Sequence, residues 1–171
     1  MFSPEYKSLQ ERFHQERPDY GISGQRYAQN VSQICQGMQT RDVLDYGCGK
    51  CSLSNNLPFP IQNYDPFIPA YSSRPRPADL VVCTDVMEHV EPEHTNAVLA
   101  DIASLAQKAA FFQIATRPAS KVLPDGRNAH LVIQPVSWWM RLLMVHFEPV
   151  TLQTIPGGFI FFGYPHREEV K

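Results

Sequence analysis

Four short apolar runs, DVLDY (42–46), IQNYD (61–65), ADLVVCTD (78–85) and AAFFQIAT (109–116), punctuate the chain, and each has the length and character of a strand buried on both faces. Between the third and fourth runs, Val98, Ile102 and Leu105 fall at helical spacing. Ahead of the first, Tyr27, Val31, Ile34 and Met38 follow at intervals of four, three and four, one face of a helix that starts near Ser23. A short polar helix is expected over residues 4–17, ended where Pro18 biases Arg17 away from helical geometry. Strands alternating with helices predict an α/β chain whose parallel sheet is covered on both faces.

The C-terminal part breaks that alternation. FEPVTLQTIPGGFIFFGY holds two β-rich runs around Pro156-Gly157-Gly158, which predicts an antiparallel hairpin. Prolines 58, 60, 66, 69, 75 and 77 leave no room for a normal helix between the second and third strands, so one crossover is trimmed. Trp138 and Trp139 open an apolar helix and are read as core and lid packing.

A chain of 171 residues without repeats or an internal linker predicts a single domain over 1–171, with residues 1–40 as N-terminal helices placed to act as a lid. A net charge of −2 with no clustered Lys or Arg argues against nucleic acid as a partner. The first twenty residues lack an apolar signal core, and no window approaches the roughly 18 apolar residues of a membrane span. A cytoplasmic protein is expected. Cysteines 35, 48, 51 and 83 are too few for a disulfide scaffold, and Cys48-x-x-Cys51 has no second pair at zinc-ribbon spacing, so reduced thiols are expected.

VLDYGCGKCSLSN (43–55) carries the chemistry. A dinucleotide loop reads G-x-G-x-x-G, but Ser52 stands where the third glycine belongs, and the spacing of a phosphate loop is absent too. What remains is an acid at a strand end, Asp45, with Gly47 and Gly49 allowing a ligand close to the backbone. A second acid, Asp65, ends the next strand, and its position suits a carboxylate that accepts hydrogen bonds from two ribose hydroxyls.

On these residues the chain resembles the class I S-adenosylmethionine-dependent methyltransferases, whose first motif is hydrophobic-D-x-G-x-G. The resemblance covers roughly residues 20–165. It implies a three-layer Rossmann-like methyltransferase sheet of seven mostly parallel strands, with the cofactor S-adenosylmethionine across its carboxyl edge. It also implies that Asp45, Gly47 and Gly49 surround the methionine moiety, that Asp65 binds the ribose, and that Phe67 packs on the adenine. CTDVMEHV would be the fourth motif, placing Thr84, Asp85 and Val86 near the cofactor. The short DPFIPAYSSRPRPADL segment departs from the family by omitting the third strand.

In TDVMEHV, Asp85, Glu88 and His89 stand at i, i+3 and i+4, one face of a helix if the chain turns helical there. The loop LPDGRNAHLVIQP brings His130 after the fourth strand. The order of DVMEH and LPDGRNAH is similar to that of the ubiquinone-biosynthesis O-methyltransferases, and metal-dependent small-RNA 2'-O-methyltransferases share an E-x-x-E-H segment with a distant histidine. Asp85 stands here in place of the commoner glutamate. By that similarity Asp85, Glu88, His89 and His130 are candidate ligands of a divalent metal (Mg, Mn or Zn). The metal-free alternative makes His130, or His89 beside Glu88, the general base that takes the proton from the acceptor. The expected function is methyl transfer from S-adenosylmethionine to a small polar molecule, at oxygen. An RNA-modifying methyltransferase and a non-catalytic cofactor-binding module are the competing readings.

Overall fold

A computed structural model describes residues 2–167. The chain runs through helix α1 (Pro4–Glu16), a 3-10 turn (Ser23–Tyr27), α2 (Ala28–Met38), strand β1 (Val43–Tyr46), β2 (Gln62–Tyr64), β3 (Ala78–Thr84), α3 (Thr95–Leu105), β4 (Ala106–Ala115), α4 (Val136–His146) and the hairpin β5 (Phe147–Ile155) and β6 (Gly158–Pro165). The six strands form one sheet in the order β2-β1-β3-β4-β6-β5. β1 pairs parallel with β2 and with β3, and β3 pairs parallel with β4. The hairpin closes the sheet with antiparallel pairs.

The alternation of side chains on the buried strands divides the core in two. One face gathers Leu44, Val81, Cys83, Phe112 and Ile114 under α3 and α4, where Trp139, Phe147, Phe159 and Phe161 are fully buried. Each such aromatic contributes about 1.5–3 kcal/mol relative to an exposed one. The other face packs Val43, Leu80, Val82 and Phe111 against Val31 and Cys35 of α2. The predicted helix face Tyr27, Val31, Ile34 and Met38 does meet the sheet, and Gln39 ends α2 in the left-handed region at φ 52°. The layers are therefore helix, sheet, helix.

The sheet has six strands, one fewer than the family pattern, because no strand forms between β2 and β3, where Pro69–Tyr71 makes only a 3-10 turn, as the short proline-rich segment predicts. Three sequence expectations need correction. The trimming also extends further. The connection from β1 to β2 holds only the 3-10 turn Ser54–Asn56 in place of a helix, with Leu53 buried beneath it. β4 begins at Ala106, three residues before the apolar run, because the exposed Gln107 and Lys108 carry the strand out of the core. The segment after β3 makes a single 3-10 turn, Met87–His89, instead of a helix, so the i, i+3, i+4 argument does not hold there. In the hairpin, Gly157 takes φ 77°, the left-handed value that a tight Pro-Gly turn requires. Among the described residues no helix is long and apolar enough to cross a membrane.

α1 packs over the carboxyl ends of the strands, where Tyr6, Gln10 and His14 line the same cavity as the strand ends. Its N-cap Ser3 accepts the Tyr6 amide at 3.2 Å, and a single stripe of Tyr6, Gln10 and Phe13, spaced four and three residues apart, is buried. The Glu91 carboxylate anchors the start of the helix by accepting from Ser3 N and Ser3 Oγ, both at 2.7 Å. The Tyr6 hydroxyl donates to the His89 carbonyl, and Lys50 Nζ donates to the Arg17 carbonyl at 2.7 Å.

Candidate functional site

β1, β2 and β3 end beside one another, and a cavity opens there between the sheet edge and α1. The chain leaves β1 through Gly47 at φ 84°, where a Cβ would stand 2.4 Å from Val86 Cγ2. Only glycine lets the first loop lie against the loop after β3. At Gly49, φ is 51° and a Cβ would meet the Gly21 carbonyl oxygen at 2.5 Å. The loop is thus wedged between β3 and the segment joining α1 to α2, and Lys50 N donates to Gly21 O at 2.9 Å.

Asp65 holds the loop from the other side. Its Oδ2 accepts from Gly49 N at 3.1 Å and its Oδ1 from Phe67 N at 2.9 Å. One lone pair on each oxygen stays available, the geometry that a pair of vicinal hydroxyls needs. Asp45 is buried beneath the loop at 2% exposure, and burial, reinforced by the neighbouring Asp65 charge, pushes its carboxyl up to about 7. Burial also raises Asp65, opposed by His14 and by the two amides.

All eight residues assigned to the cofactor, Asp45, Gly47, Gly49, Asp65, Phe67, Thr84, Asp85 and Val86, line this one cavity. Phe67 stands against Phe2 at 5.0 Å and edge-on to Tyr6 at 5.9 Å, which makes an aromatic wall shared between the β2 loop and α1. Sequence reasoning passed over Ser23, Tyr6, Gln10 and Glu91, which also line it. The stripe Tyr6, Gln10, Phe13 was the available signal for the first helix. Nothing local marks Ser23, whose hydroxyl donates to Asp85 Oδ2 at 2.6 Å across 62 positions of sequence.

The second cluster lies beside the cavity. Ligand atoms of Asp85, His89 and His130 all fall within 4.8 Å of one another. The two imidazoles meet edge-on, with centroids 4.8 Å apart. His89 Nδ1 lies 2.7 Å from the Ala129 carbonyl and His130 Nδ1 lies 2.6 Å from the Arg117 carbonyl. A carbonyl only accepts, so each Nδ1 carries the proton and each Nε2 keeps its lone pair. Backbone carbonyls that fix the tautomer in this way are the usual support of metal-ligating histidines. Burial lowers the His89 imidazole to about 4, which keeps it neutral at pH 7. The donor set of one carboxylate and two imidazoles suits Zn or Mn. The residues present fit a divalent ion.

Glu88 does not join this set. It is fully buried, and its Oε1 accepts from Ala115 N at 2.6 Å. Burial, with Asp85 adding to it, pushes its carboxyl up to about 8. Its main-chain carbonyl accepts from Leu131 N at 2.7 Å and Val132 N at 3.0 Å, so Glu88 fastens the His130 loop instead of sharing its chemistry. The Cys48-x-x-Cys51 pair forms a turn, Cys51 N to Cys48 O at 2.8 Å, and all four cysteines are buried and unpaired.

No protein-family model and no curated protein matches the chain. Solved structures do. The chain is similar to 1,6-didemethyltoxoflavin-N1-methyltransferase of Burkholderia thailandensis, with bound 1,6-didemethyltoxoflavin and S-adenosylhomocysteine, at 16% identity, with 98% of this chain and 92% of that one covered and a TM-score of 0.66. It is similar to magnesium protoporphyrin IX methyltransferase of Synechocystis PCC 6803 with bound S-adenosylmethionine at 13% identity, 96% and 99% coverage and a TM-score of 0.63. It is also similar to the N-methyltransferase NodS of Bradyrhizobium japonicum WM9, in complex with S-adenosylhomocysteine, at 12% identity, 96% and 100% coverage and a TM-score of 0.63. At these identities the likeness establishes the fold alone, the Rossmann-like fold that these three methyltransferases share.

Proposed function

We propose that the chain is an S-adenosylmethionine-dependent methyltransferase that methylates a small polar molecule at oxygen. The observation that carries this is the single cavity that joins the glycine loop, Asp65 and the Asp85–His89 turn. Three enzymes of the same fold carry S-adenosylmethionine or its product in their structures. When bound, the cofactor supplies a methyl group on a positively charged sulfur. The cavity meets that charge with Asp45, Asp65 and Asp85. Asp65 is the ribose acceptor, and Phe67 with Tyr6 and Phe2 makes the adenine wall.

Asp85, His89 and His130 would hold a divalent ion, and the chemistry such an ion would supply there is a lowered pKa for an acceptor hydroxyl. His89, held neutral and weakly basic by burial, suits a ligand better than a general base at pH 7. The acceptor's proton leaves to solvent as the acceptor enters, before α1 covers the site. α1 excludes water over the site, with the Ser3–Glu91 pair as its latch. Incubation with methyl-labelled S-adenosylmethionine and a panel of hydroxyl, amine and carboxyl metabolites and an RNA with a free 3' end tests the reading. Label on a hydroxyl metabolite supports it. Label on the RNA replaces the substrate assignment, and absence of cofactor binding at millimolar concentration overturns the enzyme reading altogether.

A further inference from the structure

His14 sits in the last turn of α1. It lines the same cavity as Asp65, and its Nδ1 is fully buried without a hydrogen-bond partner. A buried polar atom in that state costs roughly 1–3 kcal/mol unless a ligand or water completes it. The ring is not free to turn away. It packs on Tyr20 with centroids 4.7 Å apart, and its Cε1 stands 3.1 Å from the position of a Cβ on Gly21, the residue stacked on Gly49. Gly21 stacks on Gly49, whose amide Asp65 accepts, so His14 and Asp65 flank the same pair of glycines.

We propose that His14 is a cofactor-binding residue carried by the lid, which hydrogen-bonds a ribose hydroxyl that is also bound by Asp65. The inference rests on the methyltransferase reading. The chemistry is complementary. Each ribose hydroxyl donates its proton to Asp65, whose outward lone pairs are the only ones its two amide contacts leave free. The same hydroxyl oxygen then needs a donor, and a neutral imidazole supplies one N–H. Asp65 belongs to the loop after β2 and His14 to α1, so the ribose would bridge floor and lid, and cofactor binding would draw α1 down over the site.

Calorimetric titration with S-adenosylhomocysteine and with 5'-methylthioadenosine, which keeps the ribose but lacks the amino-acid tail, tests this. His14→Phe keeps the ring packing against Tyr20 and Gly21 but removes both nitrogens, and His14→Ala serves as a second variant, each checked for an unchanged thermal midpoint. The expected result is affinity about 5- to 10-fold weaker for both ligands in both variants, the size of one hydrogen bond. Unchanged affinity overturns the proposal and assigns the orphan nitrogen to a trapped water. A loss seen only with S-adenosylhomocysteine also overturns it, since His14 would then contact the amino-acid tail. If the wild-type protein binds neither ligand, the methyltransferase reading itself fails and the assignment of His14 falls with it.

Discussion

The Asp65 carboxylate accepts the amide of Gly49 at 3.1 Å, so the residue that ends β2 also shapes the loop that follows β1. The two strands are hydrogen-bonded neighbours, with Tyr46 opposite Tyr64, and their loops are further tied where Gly47 N and Cys48 N share the Tyr64 carbonyl at 2.7 and 3.0 Å. Adjacent parallel strands alone place both loops on one edge. The carboxylate ties the two loops to each other at that edge.

Asp65→Ala should therefore weaken S-adenosylhomocysteine binding beyond the loss of the ribose contacts. Two charge-assisted bonds at about 1.5–3 kcal/mol each predict at least a hundredfold loss. The Gly49 and Phe67 amides lose their acceptor as well. Asp65→Asn, which keeps one acceptor oxygen, should fall between the two. Calorimetry checks the series, and equal affinity of Asp65→Ala and wild type would remove Asp65 from the site.

Asp45 gives the ligand-free protein a pH signature. Its folded pKa of about 7 lies above the ordinary 3.8, so the folded state keeps a proton that the unfolded state has shed. Stability from this group is present below pH 4 and is lost as pH rises to about 7. Asp45→Asn should flatten the decline of the thermal midpoint between pH 5 and 7. A cationic ligand favours the ionised carboxylate, so S-adenosylmethionine should bind more tightly at pH 8 than at pH 6, with proton release visible by calorimetry in buffers of different ionisation enthalpy. A pH-independent affinity would place the ligand's charge away from Asp45.

The parts legible in the sequence are those with a local cause. The β1 loop and Asp65 are specified by glycine conformation and by strand ends twenty residues apart, and both stand where the spacing puts them. The α2 face and the hairpin turn follow from periodicity and from Pro156-Gly157. What the sequence hides depends on contacts between distant segments. Glu88 shares its spacing with Asp85 and His89, and only the tight 3-10 turn, fixed by Leu131 and Val132 bonding to its carbonyl, sends it toward Ala115. The Ser3–Glu91 latch spans 88 positions, and neither residue has a local reason to be there.

The buried contacts of Glu88 predict a structural role, and its variants should separate folding from chemistry. Glu88→Gln keeps an oxygen for Ala115 N and should retain cofactor and metal binding. Glu88→Ala leaves that amide unsatisfied and opens a cavity under the His130 loop, which should cost about 2–4 kcal/mol and lower the thermal midpoint. Loss of metal affinity in a Glu88→Gln protein that keeps its midpoint would return Glu88 to the ligand set.

Metal binding is measurable without knowing the substrate. Asp85, His89 and His130 come from the turn after β3 and the loop after β4, so an ion would clip two segments more than forty positions apart and favour the folded state by mass action. At about 100 times the dissociation constant the gain is about 2.7 kcal/mol, and for a chain of this size that is a rise of roughly 5–10 °C in the thermal midpoint. Zn or Mn should produce that shift in the wild type at pH 7.5, and it should disappear in His130→Ala and in Asp85→Asn while persisting in Glu88→Gln. Because the histidine tautomers are set by the Ala129 and Arg117 carbonyls, each neutral ring presents its Nε2 to the ion. The burial-lowered His89 stays available to the ion well below pH 6.5, so its own protonation should not weaken the site until pH approaches 4. A midpoint unmoved by any of Mg, Mn or Zn would leave the cluster as a metal-free binding surface for the acceptor.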